Sequence, residues 1–206
     1  MISYWTKLLI PFVVLFLLFG CAGGESSQQE NGESANSGEE EMKPAATAEV
    51  KNVENESVGT VNFYNHEGKV IVEANMNGLK PGHHGFHIHE KGVCEPDAEE
   101  GPFKTAGGHF NPDDQSHAGH AGDMPSLYVN EDGTADFSAS FDRLSIDQIT
   151  ETKLAVMVHS NPDNFGNIPD RYQAEGGKTG PDEETMKTGD AGDREACGVI
   201  TLSEEK

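Results

Sequence analysis

Downstream of residue 47 the apolar residues come in short runs, most of them alternating with polar ones: 59–64 (GTVNFY), 69–76 (KVIVEANM), 85–89 (GFHIH), 134–141 (TADFSASF), 153–158 (KLAVMV) and 197–202 (CGVITL). A period of two marks strands with one buried face, and helical periodicity is scarce. Turn formers separate the runs: His66-Glu67-Gly68, Lys80-Pro81-Gly82 and Glu131-Asp132-Gly133. Many short strands joined by turns predict an all-β, antiparallel sandwich or barrel. Two stretches break the rhythm. Residues 90–125 and 160–193 are long, rich in Gly and Pro, and carry most of the histidines and charged pairs. Loops of that length inside a compact domain are usually functional or disordered, and their histidines favour function.

The N-terminus follows a different pattern. Residues 8–20 (LLIPFVVLFLLFG) form an apolar run behind a single Lys7. The run is shorter than the about 20 residues a membrane span needs, and it fits the apolar core of a signal peptide. It ends Leu18-Phe19-Gly20-Cys21, which resembles a bacterial lipobox with a less usual Phe19. The expectation is a signal peptide over 1–20, a lipidated Cys21 opening a flexible polar linker over 21–46, and a folded domain over 47–206. An uncleaved anchor, or a plain leader with an incidental cysteine, is the alternative. Residues 22–46 are almost devoid of large apolar side chains, so their burial cannot offset ordering entropy and they read as a tether.

Charge narrows the partners. The formal net charge is -22, with only 14 Lys and Arg, and these are scattered. Nucleic acid needs clustered cations, and an anionic membrane surface gains nothing from such a chain. The other two cysteines, Cys94 and Cys197, lie too far apart for a Cys-based zinc site, which prefers short spacings. In an exported protein they read as one disulfide.

Seven of the nine histidines lie between residues 83 and 120. His87 and His89 are two apart in a strand, so both imidazoles share one face and can reach one metal. His109 sits in GGHFNP at 107–112. His117, His120 and Asp123 recur every three residues with Gly119 and Gly122 between them. Three imidazoles and a carboxylate make a tetrahedral set suited to Zn²⁺. His159 closes the 153–158 run and can complete a second, imidazole-only site of the kind that suits Cu²⁺. A lone histidine is more often a hydrogen-bonded bystander, and His66 and His83 read as exposed turn residues. His84 reads as packed or hydrogen-bonded beside the site without touching metal.

Together these segments identify a family. GHHGFHIHE at 82–90 resembles the copper-binding strand of the copper/zinc superoxide dismutases, GGHFNP their bridging-histidine segment, and HAGHAGD at 117–123 their zinc loop. DEETMKTGDAGDREACGVI at 182–200 resembles the electrostatic loop running into the last strand. The resemblance implies a Greek-key barrel or sandwich with a zinc loop and an electrostatic loop. It implies superoxide dismutation: superoxide becomes O₂ and H₂O₂ through alternate reduction and oxidation of a His-bound copper, with zinc structural and electrostatic. It implies copper on His87, His89, His109 and His159, and zinc on His109, His117, His120 and Asp123. His109 is then the bridge and a proton carrier. Arg194 greets the superoxide anion, Asp163 links a copper histidine to a zinc histidine, and Cys94 pairs with Cys197. Lys187, with Glu183 and Glu184, shapes the approach field, and Lys178 is a further cation for it. The implied setting is the outer face of a bacterial cell membrane, reached only through the lipid anchor, in antioxidant defence. A homodimer is left open. A non-enzymatic relative that merely holds metal is the competing reading.

Overall fold

The computed structural model describes residues 42–174 and 176–203; the expected leader over 1–20, the lipidated Cys21 and the tether as far as residue 41 lie outside the described residues. The strands are β1 (Ala46–Asn52), β2 (Ser57–His66), β3 (Lys69–Met76), β4 (Gly82–His84), β5 (Phe86–His89), β6 (Leu127–Val129), β7 (Ala135–Phe141), β8 (Ala155–His159), β9 (Arg194–Val199) and β10 (Thr201–Leu202). Two short helices, α1 (Ile146–Glu151) and α2 (Thr185–Thr188), and a 3₁₀ turn over Lys104–Ala106 complete the elements.

All strand pairs are antiparallel. The main sheet runs β5-β8-β9-β1-β2-β3-β7, with β10 also paired to β1, and β4 pairs β6 separately. The non-consecutive neighbours are the crossovers of a Greek key, and the sheet curls into a barrel. Alternation explains its interior: Val61 and Phe63 on β2 and Val70, Val72 and Ala74 on β3 are buried, Asn62, Ile71 and Glu73 between them are half-buried, and the flanking Thr60, Lys69 and Asn75 are exposed. Burial of each such Val or Phe contributes about 1.5–3 kcal/mol.

β8 lacks the alternation because both its faces are covered. Val156 and Val158 join the barrel core, while Ala155 and Met157 pack outward against Phe103, Ala106 and Cys197. A disulfide from Cys94 to Cys197, with Cα atoms 5.6 Å apart, staples that covering segment to β9. Its 103-residue separation corresponds to about 4.7 kcal/mol in the chain-entropy model, with real values often lower.

The 90–125 stretch contains no helix or strand beyond the 3₁₀ turn, yet it is pinned. The edge of β5 not used by β8 receives two of its segments. Ile88 N–H donates to Gly122 O at 2.9 Å, and Phe110 N–H donates to Ile88 O at 2.8 Å. Gly122 N–H in turn donates to Phe110 O at 2.8 Å. Only glycine fits there, because a Cβ on Gly122 collides with the Ile88 carbonyl oxygen. This zipper sets His109, beside Phe110, and Asp123, beside Gly122, against the strand that carries His87 and His89.

Candidate metal centre

The residues singled out in the sequence converge on one buried region. His87, His89, His109 and His159 form one quartet whose ligand-capable atoms lie within 4.8 Å of one another, and His109, His117, His120 and Asp123 form a second. His109 belongs to both. All seven residues are at most 8% exposed.

In the first quartet, pairing of β5 with β8 and of β8 with β9 fixes the positions. Register places Met157 opposite His87 and Ala155 opposite His89, and it puts His159 opposite Arg194. Backbone carbonyls orient the rings. His89 Nδ1 donates to Gly107 O at 3.0 Å and His159 Nδ1 donates to Gly192 O at 3.2 Å. Their Nε2 atoms are thereby left as bare lone pairs, 3.4 Å apart. His87 donates from Nε2 to Asp163 Oδ2 at 2.7 Å, and its buried Nδ1 has no hydrogen-bond partner among the described residues. An orphaned nitrogen inside a dry site is costly unless something accepts its lone pair. A cation shared by these rings does so.

In the second quartet the donors crowd together. Asp123 Oδ1 lies 2.8 Å from His109 Nδ1 and 3.1 Å from His120 Nδ1, and Asp123 Oδ2 lies 3.1 Å from His117 Nδ1. His120 Nδ1 and His109 Nδ1 are 3.4 Å apart. Ligands about 2.0–2.1 Å from a tetrahedral Zn²⁺ stand about 3.3 Å from each other, so the spacings match a common ion. His117 donates from Nε2 to Asp163, 2.8 and 2.9 Å from its two oxygens. Asp163 thus ties His87 of one quartet to His117 of the other, and it accepts a further bond from Phe165 N–H at 2.6 Å.

The electrostatics set His117 apart from the rings that burial lowers, His120 of its own quartet included. Burial drives His87 down to about 4 against the pull of Asp163, and burial also drives His89 and His159 well below the ordinary imidazole range. Burial lowers His117 too, but its bonds to Asp123 and Asp163 outweigh it and raise the ring to about 9. Burial alone works to raise both carboxyls. The histidines around them overcome it and hold Asp123 and Asp163 well below the usual carboxylate range.

A cavity of about 950 Å³ opens onto the site. His89, His109, His120, His159 and Arg194 line it, whereas His87, His117 and Asp163 lie behind that wall. Arg194 is half-buried and held by two carbonyls: Nη1 donates to Phe103 O and Nη2 to Gly107 O, each at 2.6 Å. Glu183, Glu184 and Lys187 line the outer part, and Lys187 is bound to Glu183 at 2.5 Å in an exposed pair. Lys178 is outside the lining; Thr185 chiefly lowers the Asp182 carboxyl and Lys187 that of Glu183, and Lys178 adds only a smaller pull on each. His84 is buried with both ring nitrogens on carbonyls, His159 O at 2.6 Å and Lys80 O at 2.8 Å, so it braces the site from outside both quartets. His83 rests on Tyr128, and His66 is exposed at the end of β2. Two residues that carry no sequence motif also stand here. Lys104 lines the cavity, and Arg143 reaches the loop of the second quartet. A lone cation in a loop gives no signal in sequence.

Comparison with known proteins agrees with this geometry. Residues 57–200 match the family model for copper/zinc superoxide dismutase (SODC). The chain is 40% identical over 168 residues to the superoxide dismutase [Cu-Zn] of Mycolicibacterium paratuberculosis, covering 76% of this chain and 74% of that one. It is 35% identical over 155 residues to the superoxide dismutase [Cu-Zn] of Escherichia coli, covering 70% and 79%. Among solved structures, the crystal structure of the clock protein EA4 superposes with a TM-score of 0.60 at 30% identity, covering 78% of this chain and 96% of that one. The chain belongs to the copper/zinc superoxide dismutase family.

Proposed function

We propose that the His87, His89, His109 and His159 quartet holds copper, that the His109, His117, His120 and Asp123 quartet holds zinc, and that superoxide is dismutated at the cavity floor. The observation that carries this reading is the shared His109. Its Nδ1 faces Asp123 and His120, while its ring stacks on His87 at 3.9 Å between centroids. When bound, copper supplies one-electron redox chemistry, and zinc supplies fixed positive charge without redox chemistry of its own.

The chain's own residues do the rest. Asp163, ionised, keeps the Nε2 protons of His87 and His117 in place and turns their Nδ1 atoms inward, the usual work of a carboxylate behind a metal ligand. His109 Nε2 can take up a proton and release it, which makes this ring a proton carrier as well as a bridge. Arg194, fixed by Phe103 O and Gly107 O, presents its cation to the cavity and orients the anion.

Attraction has to be local, because the chain is acidic overall. Two divalent ions set against Asp123, Asp163 and a deprotonated His109 leave about +1 at the floor. The lining bears Lys104, Lys187 and Arg194 against Asp114, Glu183, Glu184, Asp190 and Asp193. Lys187 is largely neutralised by Glu183, so the metals, Arg194 and Lys104 are the positive charges that draw superoxide inward, past the carboxylates of Asp114, Glu184, Asp190 and Asp193. Near-diffusion-limited steering in superoxide dismutase is a general example of this physics rather than a result for this chain.

The Cys94–Cys197 disulfide fits an oxidising compartment outside the cytoplasm. With the leader and Cys21, it supports export and a lipid anchor on the outer face of the cell membrane. Cys21→Ser is expected to move the protein from the membrane fraction to the soluble fraction; retention on the membrane would remove the anchor. For the activity, purified protein is titrated with copper and zinc and tested for superoxide removal. One equivalent of each with high activity is expected. Copper bound at one equivalent without superoxide removal would instead make this a metal-holding relative.

A further inference from the structure

The loop that carries His117, His120 and Asp123 has no strand partner of its own for most of its length, and one side chain from a distant part of the chain closes it. Arg143 Nη1 donates to Ala118 O at 2.8 Å, and Arg143 Nη2 donates to Asp123 O at 3.2 Å. The two carbonyls stand on either side of His120, and one belongs to Asp123 itself. The guanidinium therefore closes a ring of backbone that contains two of the four donors of the second quartet.

The position of Arg143 is set rather than incidental. Next in sequence is Leu144, 3% exposed, which enters the barrel core together with Ile149 of α1, 2% exposed. Between them Ser145 caps α1. Its Oγ accepts from Gln148 N–H at 3.2 Å, while Gln148 Oε1 accepts from Ser145 N–H at 2.9 Å. A reciprocal cap of this kind fixes the angle at which the chain enters the helix. Two buried anchors and a capped turn thus aim an otherwise exposed side chain at the loop. The guanidinium donates through two nitrogens in a fixed plane, so it sets the distance between its two acceptors. A lysine ammonium is a point charge and cannot.

We propose that Arg143 is a positioning residue for zinc: it holds residues 118–123 in the ligand-ready shape before the ion arrives and slows its escape. Holding a site in shape lowers the ordering cost of binding, and groups that orient ligands typically contribute about 10–100-fold in metal affinity. Arg143 bonds no residue of the copper quartet and reaches it only through Asp123 and His109, so its effect falls mainly on zinc.

This rests on the reading of His109, His117, His120 and Asp123 as the zinc site, and the test separates the two. Purified protein carrying both metals is challenged with a chromophoric chelator at fixed pH. Zinc and copper release and affinity are followed in the unmodified protein, R143Q, R143K and the neighbouring exposed control D142N. R143Q is expected to bind zinc about tenfold more weakly. R143K, which keeps the charge and loses the fork, falls between. Zinc affinity in D142N, and copper affinity in the three variants, stay within about twofold of the unmodified protein, since the two bonds that hold the loop come from Arg143 and neither reaches a donor of the copper quartet. Zinc affinity of R143Q and R143K within twofold of the unmodified protein overturns the inference. So does an equal loss of copper and zinc, which marks general loosening of the barrel. If the unmodified protein takes up no zinc, the reading of the quartet fails and the inference falls with it.

Discussion

The two quartets meet at His109 but are built by different means. His87, His89 and His159 stand on β5 and β8, where backbone pairing fixes each Cα before any metal is considered. His117, His120 and Asp123 stand on a loop. There the scaffold is a set of side-chain bonds from Asp163, Asp123 and Arg143, together with the close contact of Gly122 on β5. Protonation follows construction only in part, because burial lowers the loop-borne His120 as well. The strand-borne rings are buried deeply enough to stay neutral, with His87 lowered to about 4, while the loop-borne His117 is raised to about 9 between two carboxylates. A rigid strand can bury an uncharged imidazole with its lone pair ready. A loop without a ladder is held partly by ion pairs, and a metal must displace the proton that makes them.

Ligand removal breaks the comparison hardest. His159→Ala takes one imidazole from the strand-built quartet. Superoxide removal is expected to fall by more than about a thousandfold, because the redox metal is lost or misplaced. Zinc uptake, measured by metal analysis, is expected to persist. Equal loss of both metals would show that the halves are not separately built.

Asp163→Asn acts on both halves through one atom pair. An amide cannot accept from His87 and His117 as a carboxylate does. Zinc affinity by chelator competition is expected to drop about 10–100-fold, with a smaller change in copper affinity because β5 still places His87.

The mildest test is pH. In the metal-free protein His117 keeps its proton until about pH 9. Zinc must release that proton, so affinity is expected to rise about tenfold per pH unit up to roughly 9 and then level off. The strand-borne rings have depressed values. They lose their protons well below neutrality, so in zinc-free protein, where His109 need not become an imidazolate, copper affinity is expected to be nearly flat above about pH 6.5, the ordinary imidazole value. Parallel slopes for the two metals would remove the distinction.

The strand-built half was also the more legible in sequence. The alternation over 69–76 coincides with β3, and the H-x-H spacing places His87 and His89 on β5. The grouping of the donors could be read from spacing because i and i+2 in a strand share a face. β1 escaped because its inward positions at Ala46 and Ala48 are small, although both are fully buried. β4 and β6, of three residues each, are too short for any period to register. α1 did leave a sign, Ser145 with Gln148 three residues on, overlooked beside the stronger β pattern. Lys187 was legible as a cation near the mouth, but its pairing with Glu183 was not, and that pairing blunts its field. Arg143 and the carbonyls of Phe103 and Gly107 gave no sign, because what they do depends on where the backbone folds.

The cavity wall has a last consequence. His89 and His159 of one quartet, His120 of the other and the shared His109 all border the same opening. Donors of both quartets therefore meet solvent through one mouth, so whatever narrows that mouth acts on access to both.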